Sequence, residues 1–401
     1  MKKFLNKLII LEFVLFCGSL ALNLAPGKSV LTMLIFVFTA LLVYVYNKPP
    51  KYAFRKNKPL LAFISTSLFF TNVVIYQSYF GEWIVYWGYA IGTCIAVSTL
   101  SFTYFRDTYI KYFNYLLLIS IVIYCIEDII SLPFITISTP GGNVDVYFGL
   151  FLRSLRYTTK RLSSICWEPG QLQAVIMFSI CLFADLITKL SVKDLLKKIG
   201  LPILALLLTK STTGYIALSI LLIYYVFSYF ENHKFGIKTF FIGITTCIAI
   251  VFGILSIFNS RVVTDKFEQS EAKTDNSFNV RRMDNLAMFQ MTFERPLFGY
   301  GISSDERVQR NRVLGSVSNS NGWFNLSASQ GIVYLVVILI SFFKRVHERV
   351  GNRIVSITIF VLLFISQCGE PRLCYPYFYM YCFVFNSYFF EYGKNCSNKF
   401  S

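Results

Sequence analysis

The sequence predicts an all-α polytopic integral membrane protein of about twelve transmembrane helices with two long extracytoplasmic loops. Three observations predict it. Apolar residues make up 55% of the 401 positions and charged residues only 15%, whereas a water-soluble domain uses about a quarter of its residues as charges. Apolar runs near the ~20 residues that cross the hydrocarbon recur along the chain, in keeping with a mean hydropathy of +0.56. Basic residues concentrate in alternate connections, as in a chain threaded back and forth through a bilayer. A soluble enzyme, a nucleic-acid-binding domain and a disulfide scaffold are excluded; the solvent of this chain is the lipid bilayer.

The elements follow in order. Residues 1–130 hold five predicted spans: Leu8–Leu24, Ser29–Tyr46, Leu60–Phe80, Trp83–Phe105 and Phe113–Ile130. A first outer loop covers 131–171. Residues 172–258 hold the next four spans, Leu172–Thr188, Ile199–Thr209, Gly214–Phe230 and Thr239–Phe258. The seventh is short, and it and the eighth are alternatively one helix kinked at Ser211–Gly214. A second outer loop covers 259–322. Residues 323–401 supply Trp323–Phe343, Ile354–Gln367, Pro376–Phe390 and a cytoplasmic tail.

Loop charge orients this map. Lys2, Lys3 and Lys7 start inside, and alternation from there puts Lys48–Lys58, Lys189–Lys198, Lys344–Arg353 and the tail lysines on the same side, with both termini cytoplasmic. Merging the seventh and eighth spans would turn Lys344–Arg353 outward, which favours keeping them apart. The net charge of +17 is thereby a topology signal, and no polyanionic partner is needed to explain it. The N-terminus imitates a signal peptide, with Ala21 and Ala25 after an apolar core, but eleven further spans favour a retained first helix. The ten cysteines are scattered, without a CxxC pair, as small apolar filler would be.

Chemistry is expected in the two long loops, since long connections in compact proteins are usually functional or disordered. Their apolar residues, among them Phe148, Phe151, Trp167, Phe289 and Phe293, argue for partial helices lying on the outer membrane face. The first loop carries Arg153, Arg156, Lys160 and Arg161 with no acid among them. These cations either grip lipid phosphates at the interface or form an anion site, for which guanidinium forks are suited. Pro169 fits a first helical turn, leaving Glu168 at a helix N-terminus, where the dipole favours its charge; it is a capping carboxylate or a working one. The second loop carries Arg281-Arg282, then Glu294-Arg295-Pro296-Leu297-Phe298-Gly299-Tyr300-Gly301, then Asn321, whose simplest role is an N-cap before Trp323. Lys210 borders the break at Ser211–Gly214. No metal-ligand spacing occurs, and the two histidines, His233 and His347, fall on the cytoplasmic side of the map.

In order along the chain, three patches resemble the O-antigen polymerase and O-antigen ligase superfamily of bacterial envelope proteins. Arg161 to Glu168-Pro169-Gly170 looks like the family's Arg…Glu-Pro-Gly/Asn segment. Leu208-Thr209-Lys210-Ser211-Thr212-Thr213-Gly214 is similar to its Leu-Thr-x-Ser-Arg-x-Gly. Arg281, followed by Pro296–Gly301, Asn321 and Gln330-Gly331, matches its last patch. The resemblance covers roughly residues 150–335. Thr212 replaces the family's Arg, for which Lys210, Arg153 or Arg156 could substitute in charge; Asn285 replaces an aromatic; Ser320 stands where ligases carry an outer His.

The resemblance implies a C-type glycosyltransferase-like fold in the bacterial inner membrane and, without an outer His, a repeat-unit polymerase rather than a ligase. Its substrate would be an undecaprenyl-pyrophosphate-linked oligosaccharide, moved to a second lipid-linked repeat of O-antigen or capsule. No cofactor is implied. A chain-length regulator and a flippase are the implied protein partners. Glu168 would be the base, Arg161 and Arg281 would hold the pyrophosphate, and Arg153, Arg156, Lys210, Arg282 and Asn321 would assist in binding. A ligase of the same superfamily and a lipid-linked sugar transporter are the alternatives.

Overall fold

The structure, a computed structural model, describes residues 1–16, 28–49, 51–130, 132–139, 142–154, 160–166, 168–186, 190, 192–232, 277–315, 321–368 and 375–386. The predicted ninth span, Thr239–Phe258, lies outside the described residues, as do the end of the first span, the end of the twelfth, Arg156 and Trp167.

The chain is mostly helical. The first helices are α1 (Lys2–Leu15), α2 (Lys28–Asn47), α3 (Lys51–Phe69, continued by a π-helical turn at Phe70–Ile75), α4 (Phe80–Thr99) and α5 (Phe102–Ile126). After a small sheet come α6 (Pro169–Cys181), α7 (Val192–Leu208) and α8 (Thr212–Asn232). The last are α9 (Ser277–Glu294), α10 (Asp305–Val313), α11 (Gly322–Gln330), α12 (Ile332–Val350), α13 (Arg353–Gln367) and α14 (Pro376–Cys382). Three stretches among the described residues are long and apolar enough to cross a membrane: Ser29–Asn47, Phe54–Ile75 and Phe102–Ile126. Shorter apolar helices lie at Pro169–Cys181, Thr212–Tyr225 and Arg353–Gln367.

The packing follows from side-chain size. Gly88 and Gly92, four residues apart on α4, present no side chain, so α2 closes onto it; a Cβ at Gly92 would sit 2.6 Å from the Phe36 ring. Phe13 bridges α1 to this pair through an edge contact with Phe36 and reaches Phe105 of α5, with centroids 5.1 and 5.0 Å away. The opposite side of α2 leaves Leu31, Leu34, Phe38, Leu41 and Val45 exposed at helical spacing, an apolar stripe suited to lipid. Helix α6 is buried on all sides and packs on α7, α8 and α13. Its Phe178 meets Tyr377 of α14 edge-on at 4.7 Å.

Two expectations are corrected. The fold is not all-α, and the first outer loop is not a partial helix. It forms an antiparallel three-stranded sheet, β1 (Phe134–Thr139), β2 (Gly142–Tyr147) and β3 (Phe151–Ser154), in the order β1-β2-β3. The alternating β-branched residues of Phe134–Thr139 and Val144-Asp145-Val146 suit a strand better than a helix. Val144, Val146 and Leu152 bury one face against each other, while Tyr147 and Phe151 turn the other face into the main core.

The predicted tenth span, Trp323–Phe343, is not one helix. It breaks at Gly331, whose φ of 86° ends α11 and starts α12. The expected separation of the seventh and eighth segments is found, as α7 ends at Leu208 and α8 starts at Thr212. In one helix, residues eight apart lie about 12 Å apart along the axis, yet Tyr215 of α8 donates to the Leu207 carbonyl of α7 at 2.9 Å. The chain therefore reverses between α7 and α8, with Lys210 held at φ 49° in the turn.

Elsewhere, Arg106 pairs with Asp185 at 3.4 Å, and half-buried Arg349 donates to the carbonyls of Met380 and Phe383 at 2.6 and 2.7 Å. His347 shares a hydrogen bond of 3.2 Å with Ser356 near the same end of α12.

Candidate functional site

Arg161 follows the sheet in an extended segment, 160–166, that runs beside the α7–α8 turn. Its Nε donates to the Thr209 carbonyl at 3.0 Å and an Nη to the Lys210 carbonyl at 2.7 Å. The neighbouring Leu162 N–H binds the Leu208 carbonyl at 3.0 Å. These carbonyls end α7 and have no partner inside the helix, so the guanidinium fork fills a need that every helix C-terminus creates. The first two sequence patches are thus joined at one point.

Six residues on, Glu168 is the N-cap of α6 with Pro169 in the first turn, as the sequence predicts, but its side chain makes no cap hydrogen bond. One turn further, Gln173 is buried and donates to the Ser366 carbonyl at the end of α13, 3.2 Å away. Gly214 of α8 lies against Gln173; an added Cβ would come within 3.2 Å of its Cβ. The Gly that ends the second patch suits this close approach.

Asn321 caps α11, its Oδ1 accepting from the N–H groups of Trp323 and Phe324 at 3.0 and 3.2 Å. The Trp323 indole N–H then reaches the Phe364 carbonyl of α13 at 2.8 Å, with the two rings stacked 4.9 Å apart. The C-terminal turn of α13 consequently touches both α6, through Gln173, and α11, through Trp323. It links the segment that carries Glu168 to the one that carries Asn321.

The Pro296–Gly301 patch runs along the end of α11. Tyr300 and Gly301 donate their N–H groups to the carbonyls of Ala328 and Ser329 at 2.8 and 2.9 Å, and Ile332 donates to the Pro296 carbonyl at 2.7 Å. Gly299, at φ 62°, lies so near the backbone that a Cβ would sit 2.5 Å from the carbonyl carbon of Ser329. The π-turn of α3 anchors the other side: Tyr76 donates to the Gly299 carbonyl at 2.6 Å and Asn72 accepts from Ile302 at 2.7 Å. Arg295 contacts the Tyr76 hydroxyl at 2.8 Å, pairs with Glu306 at 2.5 Å and lies over the Tyr300 ring. Glu294 is clasped by Arg310 and accepts from the Tyr300 hydroxyl at 2.6 Å. The Arg310 guanidinium, against a smaller opposing effect of burial, holds the Glu294 carboxyl well below the usual range, at about 2.

The predicted cations are distributed unequally. Lys160 lies 2.9 Å from Glu127 and 2.6 Å from Asp128, just past the end of α5, and Arg153 of β3 comes within 3.9 Å of both carboxylates. The acids missing from the sequence around Arg153 are supplied by another element. Arg281 and Arg282, on the first turns of α9, are exposed and form no ion pair with any described residue. Lys210 is half-buried in its turn. The residues that sequence reasoning missed are the ones joining the patches, namely Gln173, Asn72, Tyr76 and Trp323 with its α13 partner carbonyl. Their only sequence signal was a polar group within an apolar stretch. Among the described residues no cluster of His, Cys, Asp and Glu could hold a metal ion.

Residues 199–339, from α7 through the first half of α12, match the O-antigen ligase family. That match supports a place for the chain in the O-antigen ligase/polymerase superfamily. Members of that superfamily are glycosyltransferase-like membrane enzymes that act on lipid-linked sugars. No curated protein matches the chain. The superfamily domain begins in α7, so Arg161 and Glu168 lie outside the matched stretch and reach it through the α7–α8 turn and Gln173.

Proposed function

We propose that the protein is a repeat-unit polymerase of the bacterial inner membrane. It transfers a growing glycan from undecaprenyl pyrophosphate to a hydroxyl of a second lipid-linked repeat at the outer membrane face, within the synthesis of O-antigen or capsule. The observation that carries this reading is the meeting of α6, α8, α11 and the end of α13, which draws the Glu168 segment and the superfamily domain to one end of the bundle.

In the proposed reaction the acceptor hydroxyl oxygen bonds to the anomeric carbon of the donor glycan as the bond from that carbon to the phosphate oxygen breaks. Undecaprenyl pyrophosphate leaves with the bonding pair, and the hydroxyl proton passes to Glu168. Negative charge grows on the leaving pyrophosphate, so cations placed beforehand stabilise the transition state more than the ground state. Arg281 and Arg282, exposed and free of ion pairs with described residues, are suited to that task, with Lys210 assisting. Arg161 acts through the turn it holds, as a positioning residue, and Asn321 acts through the start of α11. Arg153 belongs to the same outer cluster, where Glu127 and Asp128 temper its charge.

Polymerase is favoured over ligase by histidine placement. Position 320 is Ser, and His347 lies about 24 Å along α12 from Gly331 by helical rise. The test is complementation of a polymer-deficient host, scored by the length distribution of its glycan. Arg281→Ala and Glu168→Gln, expressed at normal levels, are expected to leave single repeats. Full-length polymer from both variants would overturn the assignment. Glycan chains of normal length that fail only to reach their final acceptor in the deletion strain would identify a ligase instead.

A further inference from the structure

Beside Asn321 lies a cavity of about 270 Å³, bounded by α3 and α4 on one side and by α10 and α11 on the other. None of the residues assigned above lines it. One wall is apolar and partly aromatic, formed by Leu68 and Tyr86. The other carries groups with directional hydrogen-bonding capacity. Arg307 is only 4% exposed, and its guanidinium is spread over the Ile302 carbonyl at 2.8 Å and the Asn325 side chain. Glu82 accepts from the Ser303 hydroxyl at the rim.

Gln330 is the decisive residue. It is 2% exposed, lines the cavity, and neither its Oε1 nor its Nε2 has a hydrogen-bond partner among the described residues. The Oδ1 of Asn311, also on the wall, is in the same condition. A buried amide left unsatisfied is costly, and native interiors rarely tolerate it. Two such amides belong to residues that line one polar cavity, which suits it to a polar occupant.

We infer that this cavity is a saccharide subsite that receives a neutral or amino-sugar unit of the lipid-linked glycan, an inference that rests on the proposed transferase reading. A sugar hydroxyl both donates and accepts, and so does a carboxamide, which makes Gln330 and Asn311 natural partners for it. Tyr86 and Leu68 offer a surface for the apolar face of a pyranose ring. The Glu82 carboxylate on the wall disfavours a phosphate or a uronic acid, since two like charges at close range repel strongly outside bulk water. The Nη groups of Arg307 are turned to the Ile302 carbonyl and the Asn325 amide oxygen, and its charge is balanced against that of Glu82 on the same wall. The diphosphate of the carrier therefore belongs elsewhere, and this subsite selects which sugar is presented.

The experiment is saturation-transfer NMR on the full chain in nanodiscs. The probe is the oligosaccharide repeat released by mild acid from the lipid carrier of a polymer-deficient strain. Wild type is expected to saturate the protons of at least one sugar ring, and inorganic pyrophosphate is expected not to displace it. Gln330→Met, close in shape but without the amide, and Glu82→Ala, at an exposed position that tolerates change, should each weaken binding by about tenfold, the scale of one lost hydrogen bond. Absence of saturation in wild type, displacement by pyrophosphate, or unchanged binding in both variants would overturn the inference. Polymer synthesis is scored separately on the same preparations. Sugar binding without polymer would sink the polymerase reading and keep the subsite, and polymer with binding indifferent to Gln330 and Glu82 would do the reverse.

Discussion

Arg161 donates from Nε to the carbonyl of Thr209 at 3.0 Å, and this bond joins the segment leading to Glu168 to the turn between α7 and α8. The second donor, to Lys210 at 2.7 Å, makes the contact a fork across two successive carbonyls. The arrangement explains why an arginine is wanted so close to a polar turn whose own Lys210 adopts a left-handed backbone.

Arg161→Ala should therefore destabilise the turn as well as impair polymer formation. Hydrogen bonds from a charged donor contribute about 1.5–3 kcal/mol each, so losing both is expected to cost roughly 3 kcal/mol or more in detergent unfolding. Arg161→Lys should recover only part of it, because an ammonium lacks the planar fork. A wild-type melting temperature in Arg161→Ala would show that the clamp is idle.

Glu168→Gln is expected to behave in the opposite way. Gln keeps the length and polarity of the side chain, so unfolding should shift by less than in Arg161→Ala. Loss of a general base costs about 10²–10⁴-fold in rate, enough to abolish long polymer. Measuring melting temperature and chain length on one preparation separates the two effects.

Arg310 and Glu294 predict a pH dependence outside the membrane. The folded carboxyl titrates near 2 rather than 4.5, so the unfolded state binds its proton first as pH falls. The stability this pair contributes is present above pH 4.5 and is lost progressively toward pH 2. The melting-temperature gap between wild type and Glu294→Gln should be open at neutral pH and close over that window. A constant gap would mean that Glu294 acts through packing alone.

Gly299→Ala tests the seat of the Pro296–Gly301 patch on α11. The left-handed backbone costs a residue with a side chain about 1–2 kcal/mol, and overpacking against Ser329 adds about 1–3 kcal/mol. We expect proteolytic nicking between α9 and α11, and weaker sugar binding in the adjoining cavity. Gly149→Ala is the control, since its φ of 70° carries the same backbone strain with nothing within 4 Å of an added Cβ.

Much of the architecture was legible because lipid imposes a long-range rule on composition. Helices such as α2 and α5 must be apolar over their length, so Ser29–Tyr46 and Phe113–Ile130 read directly as spans and return at Ser29–Asn47 and Phe102–Ile126. The helix starts at Pro169 and Trp323 were equally legible, since capping is decided within one turn of chain. The small sheet was misread because its apolar residues suggested a helix, although their β-branching favoured strands.

By itself the sequence determined the membrane class, the order of the family patches and the starts of α6 and α11, because these depend on neighbours along the chain. Only the tertiary structure decided which charges are neutralised, as Glu127 and Asp128 do for Lys160, and which polar groups face one cavity, as Gln330 and Glu82 do. Pairing and enclosure depend on distance in space, and residues 82 and 330 become neighbours only when the second outer loop folds back onto the first helices.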